Sequence, residues 1–410
     1  MKKTLVALAA LAATSAFAQS SFSITGNYDV GYTTVNVDKN GQAKAAAIAA
    51  NGASTSAIFF KGQEDLGGGL SAIFLSELDF NATISNTANQ NSSTSSFAGT
   101  VYNGTPFNGE QYVGLQGGFG SLKLGSPNSP ALDTSSTSQP FGTALGSGYS
   151  SAFGRLGTGT VSGLIQYVGA EGSAGRIIRS EKAAVYTSPV FGGVTAQVEY
   201  SGQNDRGGWT ANDNGVLGLS AKYNQGPLNV QFYQGKASAG NFAASTSGTL
   251  SSANMNANYL VANSSVKWNM LGANYNMGAT TVYGGYTTTK SEGVTADKRL
   301  EDNKSWNIAA KYVMGKTDLL ANYLVRKSNL TEAQAYATSN GDYAADAKSL
   351  GLGANYNFSK STYVYYRYER IAGLNAAAST QTSTTNGVAG VGNYGNATSV
   401  KQFVGLRVQF

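Results

Sequence analysis

No histidine and no cysteine occur in this 410-residue chain, so its chemistry rests on 28 Lys and Arg and 22 Asp and Glu. Nucleophile–histidine dyads and triads, thiolate sites and metals held by His or Cys are thereby excluded. What remains is electrostatics: fixed charges that attract or repel ions and polar solutes. The spacing of those charges is informative. Over residues 361–370, Tyr363, Tyr365, Arg367 and Glu369 share one parity, while Val364, Tyr366 and Tyr368 share the other. Over the last ten residues Lys401, Phe403, Gly405, Arg407 and Gln409 alternate with Val404, Leu406, Val408 and Phe410. In an extended strand alternate side chains point to opposite faces, so charge collects on one face and apolar bulk on the other.

The same two-faced pattern recurs along the chain. Leu217, Leu219, Ala221 and Tyr223 oppose Gly218, Ser220 and Lys222, and Trp306, Ile308, Ala310 and Tyr312 oppose Ser305, Asn307, Ala309 and Lys311. Leu350, Leu352, Ala354, Tyr356 and Phe358 oppose Ser349, Gly351, Gly353, Asn355 and Asn357. A dry sandwich core would not accept Gly, Asn and charges without partners, whereas a water-filled lumen would. Lys267 and Trp268 break the alternation of 265–275, which predicts a bulge or a late strand start there.

The elements that must position these faces are marked by tight turns at 66–69, 117–120, 188–193, 224–227, 276–278, 314–316 and 358–360, rich in Gly, Pro or Lys. Each is flanked by segments of about ten residues, the length of a tilted membrane-crossing strand. These hairpins, with a first strand near Phe22 to Val37 and a last from Val400 to Phe410, give sixteen strands. Longer segments of Asn, Ser, Thr, Ala and Gly alternate with the turns, at 38–54, 82–108, 126–178, 201–213, 237–264, 291–303, 329–346 and 372–399. The expectation is an all-β, 16-stranded antiparallel transmembrane β-barrel, with tight turns at one rim and long loops at the other. Tyr186, Tyr223, Tyr275, Tyr312, Tyr356 and Phe410 fall on the apolar face beside the turns, as an interfacial girdle would.

Met1-Lys2-Lys3, the apolar run Leu5 to Ala13 and Ala16-Phe17-Ala18 have the order of a secretory signal peptide with a cleavage site. Residues 1–18 are therefore expected to be removed, leaving 19–410 as one barrel domain in the cell outer membrane. The phase of the strands puts Asp29, Lys61, Glu77, Asp79, Lys123, Arg179, Glu199, Lys222, Lys311, Arg326, Arg367, Glu369, Lys401 and Arg407 on the inner wall. The third long segment, 126–178, is too long for an ordinary connection. It carries Leu132, Phe141, Leu145, Tyr149 and Phe153, which solvent does not favour, together with Asp133 and Arg155. Folding it into the barrel as an inward third loop would bury those residues and narrow the lumen.

Phe60-Lys-Gly-Gln-Glu-Asp-Leu-Gly-Gly-Gly-Leu, Gln111-Tyr-Val-Gly-Leu115, Phe119-Gly-Ser-Leu-Lys-Leu-Gly125 and Tyr186-Thr-Ser-Pro-Val-Phe-Gly-Gly193 resemble the general porin family of Gram-negative outer membranes, most closely its β-proteobacterial branch. The resemblance implies a homotrimer of barrels embedded among outer-membrane lipids, passing small hydrophilic solutes and ions by passive diffusion. It implies no enzyme activity, no cofactor, no metal and no nucleic-acid partner. The terminal aromatic strand ending at Phe410 would be read by the outer-membrane assembly machinery as an insertion signal. Family members carry arginines where this chain has Ala57, Gly109 and Ser126, so only a weak anion preference is expected. The residues expected to set it at the constriction are Lys61, Glu77, Lys123, Asp133, Arg155, Arg179 and Arg367. The alternative is a substrate-specific channel for sugars or organic acids, with inward Tyr233, Tyr283, Tyr363 and Tyr365 as an aromatic slide.

Overall fold

The computed structural model describes residues 20–38, 43–80, 82–83, 95–97, 100–102, 107, 109–148, 179, 182–201, 215–238, 265–292, 303–328, 346–376 and 394–410. The expected signal peptide and all of 149–178, with Tyr149, Phe153 and Arg155, lie outside the described residues.

Strand follows strand along the chain: β1 (Ser21–Asp38), β2 (Ala43–Ala50), β3 (Ala57–Gly67), β4 (Leu70–Asp79), β5 (Ser95–Phe97), β6 (Thr100–Tyr102), β7 (Gln111–Gly117) and β8 (Gly120–Ser126). A helix, α1 (Pro130–Thr137), precedes β9 (Ala183–Thr187), β10 (Val194–Ser201), β11 (Gly215–Gln225) and β12 (Leu228–Ser238). Then come β13 (Ser265–Met277), β14 (Thr280–Glu292), β15 (Asn303–Met314), β16 (Thr317–Ser328), β17 (Asp346–Asn357), β18 (Thr362–Ala376) and β19 (Tyr394–Gln409). Among the described residues β5 and β6 pair only with each other. β2 and β3 both flank β1 and together form one stave. The remaining strands pair antiparallel with their neighbours, and β19 closes on β1 from Asn27↔Gln409 to Asp38↔Thr398, giving a closed barrel of sixteen staves.

Closure satisfies the backbone. Gly26 N donates to Phe410 O at 2.8 Å and Phe410 N returns to Gly26 O at 3.0 Å, so the ladder runs to the last residue. In a hydrocarbon medium only such internal pairing is tolerated. The apolar parity faces outward: Ile308, Val404, Leu406 and Phe410 are all exposed. The tight turns rely on glycine where the backbone turns left-handed, as at Gly226 and Gly315 (φ 60° and 59°).

Two expectations change. The segment 38–54 is not a continuous loop: β2 occupies 43–50, and among the described residues the irregular stretch is 51–56. There Asn51 adopts φ 67°, its side chain accepts from Ser56 N at 2.7 Å, and the Asp29 carboxylate accepts from Ala53 N and Ser54 N at 2.8 and 2.6 Å. The chain thus folds inward and is tied to β1. Nor does β13 carry a bulge, since it pairs with β12 and β14 without a register shift. Trp268 points inward and is buried against Tyr233, while Lys267 points outward and is exposed. What looks like broken alternation is an outward strand face ending in a cation.

Residues 127–148 lie against the inner face of the wall. Ser129 caps α1 by accepting from Leu132 N, and Pro130 occupies the first turn, where its missing N–H costs nothing. Inward side chains then bind the segment in order around the barrel. Gln231 Nε2 donates to Pro130 O (3.3 Å), Asn274 Nδ2 to Thr137 O (3.0 Å) and Asn307 Nδ2 to Ser138 O (2.7 Å). Asn322 Nδ2 donates to Ser147 O (2.9 Å), and the Glu369 carboxylate accepts from Gly146 N (2.9 Å). Leu145 packs with Tyr365 and Phe403 in a small apolar cluster on the wall.

Glycines on the inner face make this approach possible. A Cβ on Gly272 would stand 2.3 Å from Thr134 O, and one on Gly351 would stand 2.0 Å from Gly146 O. Gly351→Ala should therefore force 146–148 off the wall at a cost of about 1–3 kcal/mol. Because the displaced segment can only move into the lumen, single-channel conductance should fall while heat-modifiable mobility on gels still reports a folded barrel. Unchanged conductance would show that the segment does not seat there.

Candidate functional site

Between the inward segment and the wall lies a space of about 450 Å³. Asp133, Phe141 and Leu132 line it from the segment, and Ala53 and Ser54 from the excursion of the second stave. Lys311, Arg367 and Arg407 line it from β15, β18 and β19, with Tyr363 among them. The arrangement is one carboxylate facing three cations across a polar opening.

Each cation is held in place. Arg407 donates through Nη1 to Tyr363 OH (2.9 Å) and through Nε to Asn27 Oδ1 (3.2 Å). Arg367 donates through Nη1 to Tyr366 O (2.9 Å), and its guanidinium lies over the rings of Tyr365 and Phe141, at 5.0 and 5.8 Å. Tyr365 in turn donates its hydroxyl to Asp29 and stacks on Phe403. Lys311 Nζ lies 3.4 Å from Asp318 Oδ2, so part of its charge is neutralised locally. The two arginines are therefore the fixed positive side of the opening.

A second cluster sits at the start of the inward segment. Arg179 Nη1 pairs with Glu77 Oε2 at 3.3 Å, and Lys123 Nζ lies 4.0 Å from Glu110 Oε1 and 4.3 Å from the Tyr112 ring centroid. Glu110 also accepts from Asn128 N and Asn128 Nδ2, both at 3.0 Å, fixing the exit of β8. Gly109, where the family resemblance places an arginine, backs directly onto Glu77: a Cβ there would meet Glu77 Cγ at 2.2 Å. Ala57 is fully buried between Asn27 and Asp79.

The residues singled out in the sequence thus separate into groups. Asp133 and Arg367 share the opening, and Glu77 meets Arg179 in the second cluster beside Lys123. Lys61 points inward but is not among the residues that line the opening, and its Nζ lies over the Phe59 ring at 5.2 Å. Arg155 lies outside the described residues. Lys311 and Arg407 were legible as inward residues but not as neighbours of Asp133. Their convergence depends on the register across 372–399, which no turn signal fixes. Glu110 was missed because it precedes the alternating run of β7.

Residues 4–372 match the family model described as Gram-negative porin. The chain belongs to the Gram-negative porin family. It is 28% identical over 326 residues to outer membrane porin protein 32 of Delftia acidovorans, covering 76% of this chain and 85% of that one. In fold it is similar to the anion-selective porin from Comamonas acidovorans (TM-score 0.68, 22% identity, 96% and 100% of the two chains). It is also similar to the trimer form of OmpT, an outer membrane protein of Vibrio cholerae (TM-score 0.58, 15% identity, 95% and 99%). As a porin it is an outer-membrane protein whose barrel forms a channel.

Asp133 is the one carboxylate on the inward segment that faces the basic wall. Burial pushes its carboxyl above the ordinary carboxylate range, while Lys222, Lys123 and a hydrogen bond from Gln197 pull it partly back. A raised carboxylate takes up its proton at a higher pH than usual, so the opening loses negative charge as the solution is acidified. As the solution is acidified from neutral pH, the zero-current potential in a salt gradient should therefore move towards anions before ordinary carboxylates begin to titrate. Asp133→Asn should show the acid value at neutral pH and no such movement. An equal pH shift in that variant would place the titrating group elsewhere.

Proposed function

We propose that this porin is a passive diffusion channel for small hydrophilic solutes and ions with a weak preference for anions. One observation carries the reading: Arg367, Arg407 and Lys311 line the opening together with a single lining carboxylate, Asp133. Low-dielectric walls focus the field of fixed charges on a passing ion. The preference is weak because Lys311 is paired with Asp318, and because Glu77 and Glu110 offset Arg179 and Lys123. The relative described as an anion-selective porin is consistent with that sign. The same reading includes a homotrimer, in line with the trimer form of the Vibrio cholerae neighbour. It also includes removal of residues 1–18 and action as a channel rather than an enzyme.

A second reading, selection of organic acids, is favoured by Tyr363 and Phe141 standing beside the guanidiniums in the opening. Liposome swelling rates separate the two: a general pore ranks solutes by size alone, whereas an organic-acid channel admits carboxylates faster than neutral sugars of equal size.

Charge neutralisation tests the main reading. A unit charge about 4 Å from an ion is worth roughly 1–4 kcal/mol between water and a surface-like dielectric. Arg407→Gln and Arg367→Gln should each shift the reversal potential towards cations in dilute salt. The shift should shrink in concentrated salt, where screening shortens to a few ångströms. Lys123→Gln and Arg179→Gln should act in the same direction but less, and Lys61→Gln least. A Lys61 effect equal to that of Arg407 would move the selective section to the wall around Lys61.

Phe410 is exposed on the outer face beside Tyr28, with ring centroids 6.4 Å apart. We assign its strand the role of the signal read by the assembly machinery. Changing Phe410 to Asp should lower the amount of folded barrel in the outer membrane, measured by surface labelling, and normal levels would refute the assignment.

A further inference from the structure

Opposite β1 the second stave does not keep step. Ala57 pairs with Asn27 and Ala50 with Val30, so β1 spends two residues, Tyr28 and Asp29, where the other side spends six, 51–56. Both flanks stay in the ladder, and the four surplus residues must leave the plane of the wall. They leave it inward. Gly52 lies close against wall aromatics, where a Cβ would stand 2.5 Å from both Tyr365 OH and Phe403 Cδ1. Ala53 and Ser54 reach the opening that Asp133, Arg367 and Arg407 also line.

The excursion is held at its ends and in its middle. Asn51 N donates to Asp29 O at 2.9 Å, and Asp29 N donates to Ser56 Oγ at 3.0 Å. Between these ties, one oxygen of the buried Asp29 carboxylate accepts from Ala53 N and Ser54 N, and the other accepts from Tyr365 OH. Gly52 O accepts from Leu145 N at 3.3 Å, so the excursion also touches the inward segment. A two-residue continuation would have completed the ladder without burying a carboxylate, which is costly unless it is hydrogen-bonded. The chain instead devotes Asp29 to holding backbone inside the lumen. Because the N–H groups of 53 and 54 are turned to Asp29, and no residue of 51–56 is ionisable, the excursion brings bulk but no charge to the opening.

We propose that residues 51–56 form a second constriction element set against the inward segment, with Ser54 as its specificity-determining position and Asp29 as its positioning residue. The inference rests on the opening being the selective section of the channel. The excursion narrows that section with neutral chain, so a charge placed at 54 acts on passing ions as directly as the fixed arginines do.

The chain has no cysteine, so Ser54→Cys carries the only thiol. The full barrel bearing it is opened in a planar bilayer and treated with an anionic sulfonatoethyl or a cationic trimethylammonioethyl methanethiosulfonate. Either adduct should lower the single-channel current. The anionic adduct should move the permeability ratio towards potassium and the cationic adduct towards chloride, each severalfold in dilute salt. Adding Asp29→Ala removes the acceptor and should abolish the difference between the two adducts. Asp29→Asn keeps an oxygen for Ala53 N and Ser54 N and should preserve it. An adduct confirmed by mass that leaves current and permeability ratio unchanged would overturn the proposal, as would a thiol that neither reagent reaches. An undiminished difference in Asp29→Ala would overturn the role of Asp29. Should that variant not fold, Ser54→Cys alone decides through its two adducts. Arg407→Gln separates this inference from the reading beneath it. A shift there with none from the adducts overturns the excursion alone, whereas no shift from either overturns the opening as the selective section.

Discussion

A backbone polar group taken out of bulk water must find a partner, and this molecule meets that requirement twice. The first solution is the strand ladder, which leaves no edge because β19 returns to β1 as far as the Gly26–Phe410 pair. The second is inside the barrel. Residues 130–148 have little secondary structure of their own beyond α1, and their carbonyls are met by Gln231, Asn274, Asn307 and Asn322. Glu369 serves the opposite need, accepting from an N–H of the same segment. An inner face rich in amides is therefore not a generic hydrophilic lining. It is a docking strip matched to one stretch of backbone, with Gly272 and Gly351 supplying the close approach.

Once the segment is seated, the charges of the opening follow. Asp133 is carried on the first turn of α1, where the helix N-terminus favours a negative charge, and it faces Arg367 and Arg407 on the far wall. Those arginines are oriented by Tyr363, Asn27 and the backbone of β18, so the positive side is stiff. Asp29 links the two systems. It accepts from Ala53 and Ser54 in the folded-in part of the second stave and from Tyr365, which packs against Leu145 of the segment.

Much of this was legible in the sequence, because a period of two is unambiguous when one face must be apolar. The tight turns, the sixteen staves and the inward charges all follow from alternation and glycine. The failures share a cause. Alternation says which face a residue takes, not its height or its distant neighbours. Lys267 and Trp268 read as an error because the lysine lies above the apolar band, where the outward face is meant to be charged. The meeting of Arg407 with Tyr363 depends on register across a long connection. The second cluster was only half visible, since Glu110 lies outside the alternating run.

Seating of the inward segment depends on the amide strip, and removal of that strip is the most direct trial. Asn274→Leu, Asn307→Leu and Asn322→Leu keep side-chain size while leaving segment carbonyls without their donors, at roughly 1–3 kcal/mol each. In planar bilayers the combined variant should form channels whose folded barrels resist detergent as before. Its current should fluctuate between levels, and its zero-current potential in a potassium chloride gradient should lose the parent's lean towards anions. A quiet channel with the parent's conductance and zero-current potential would contradict the account.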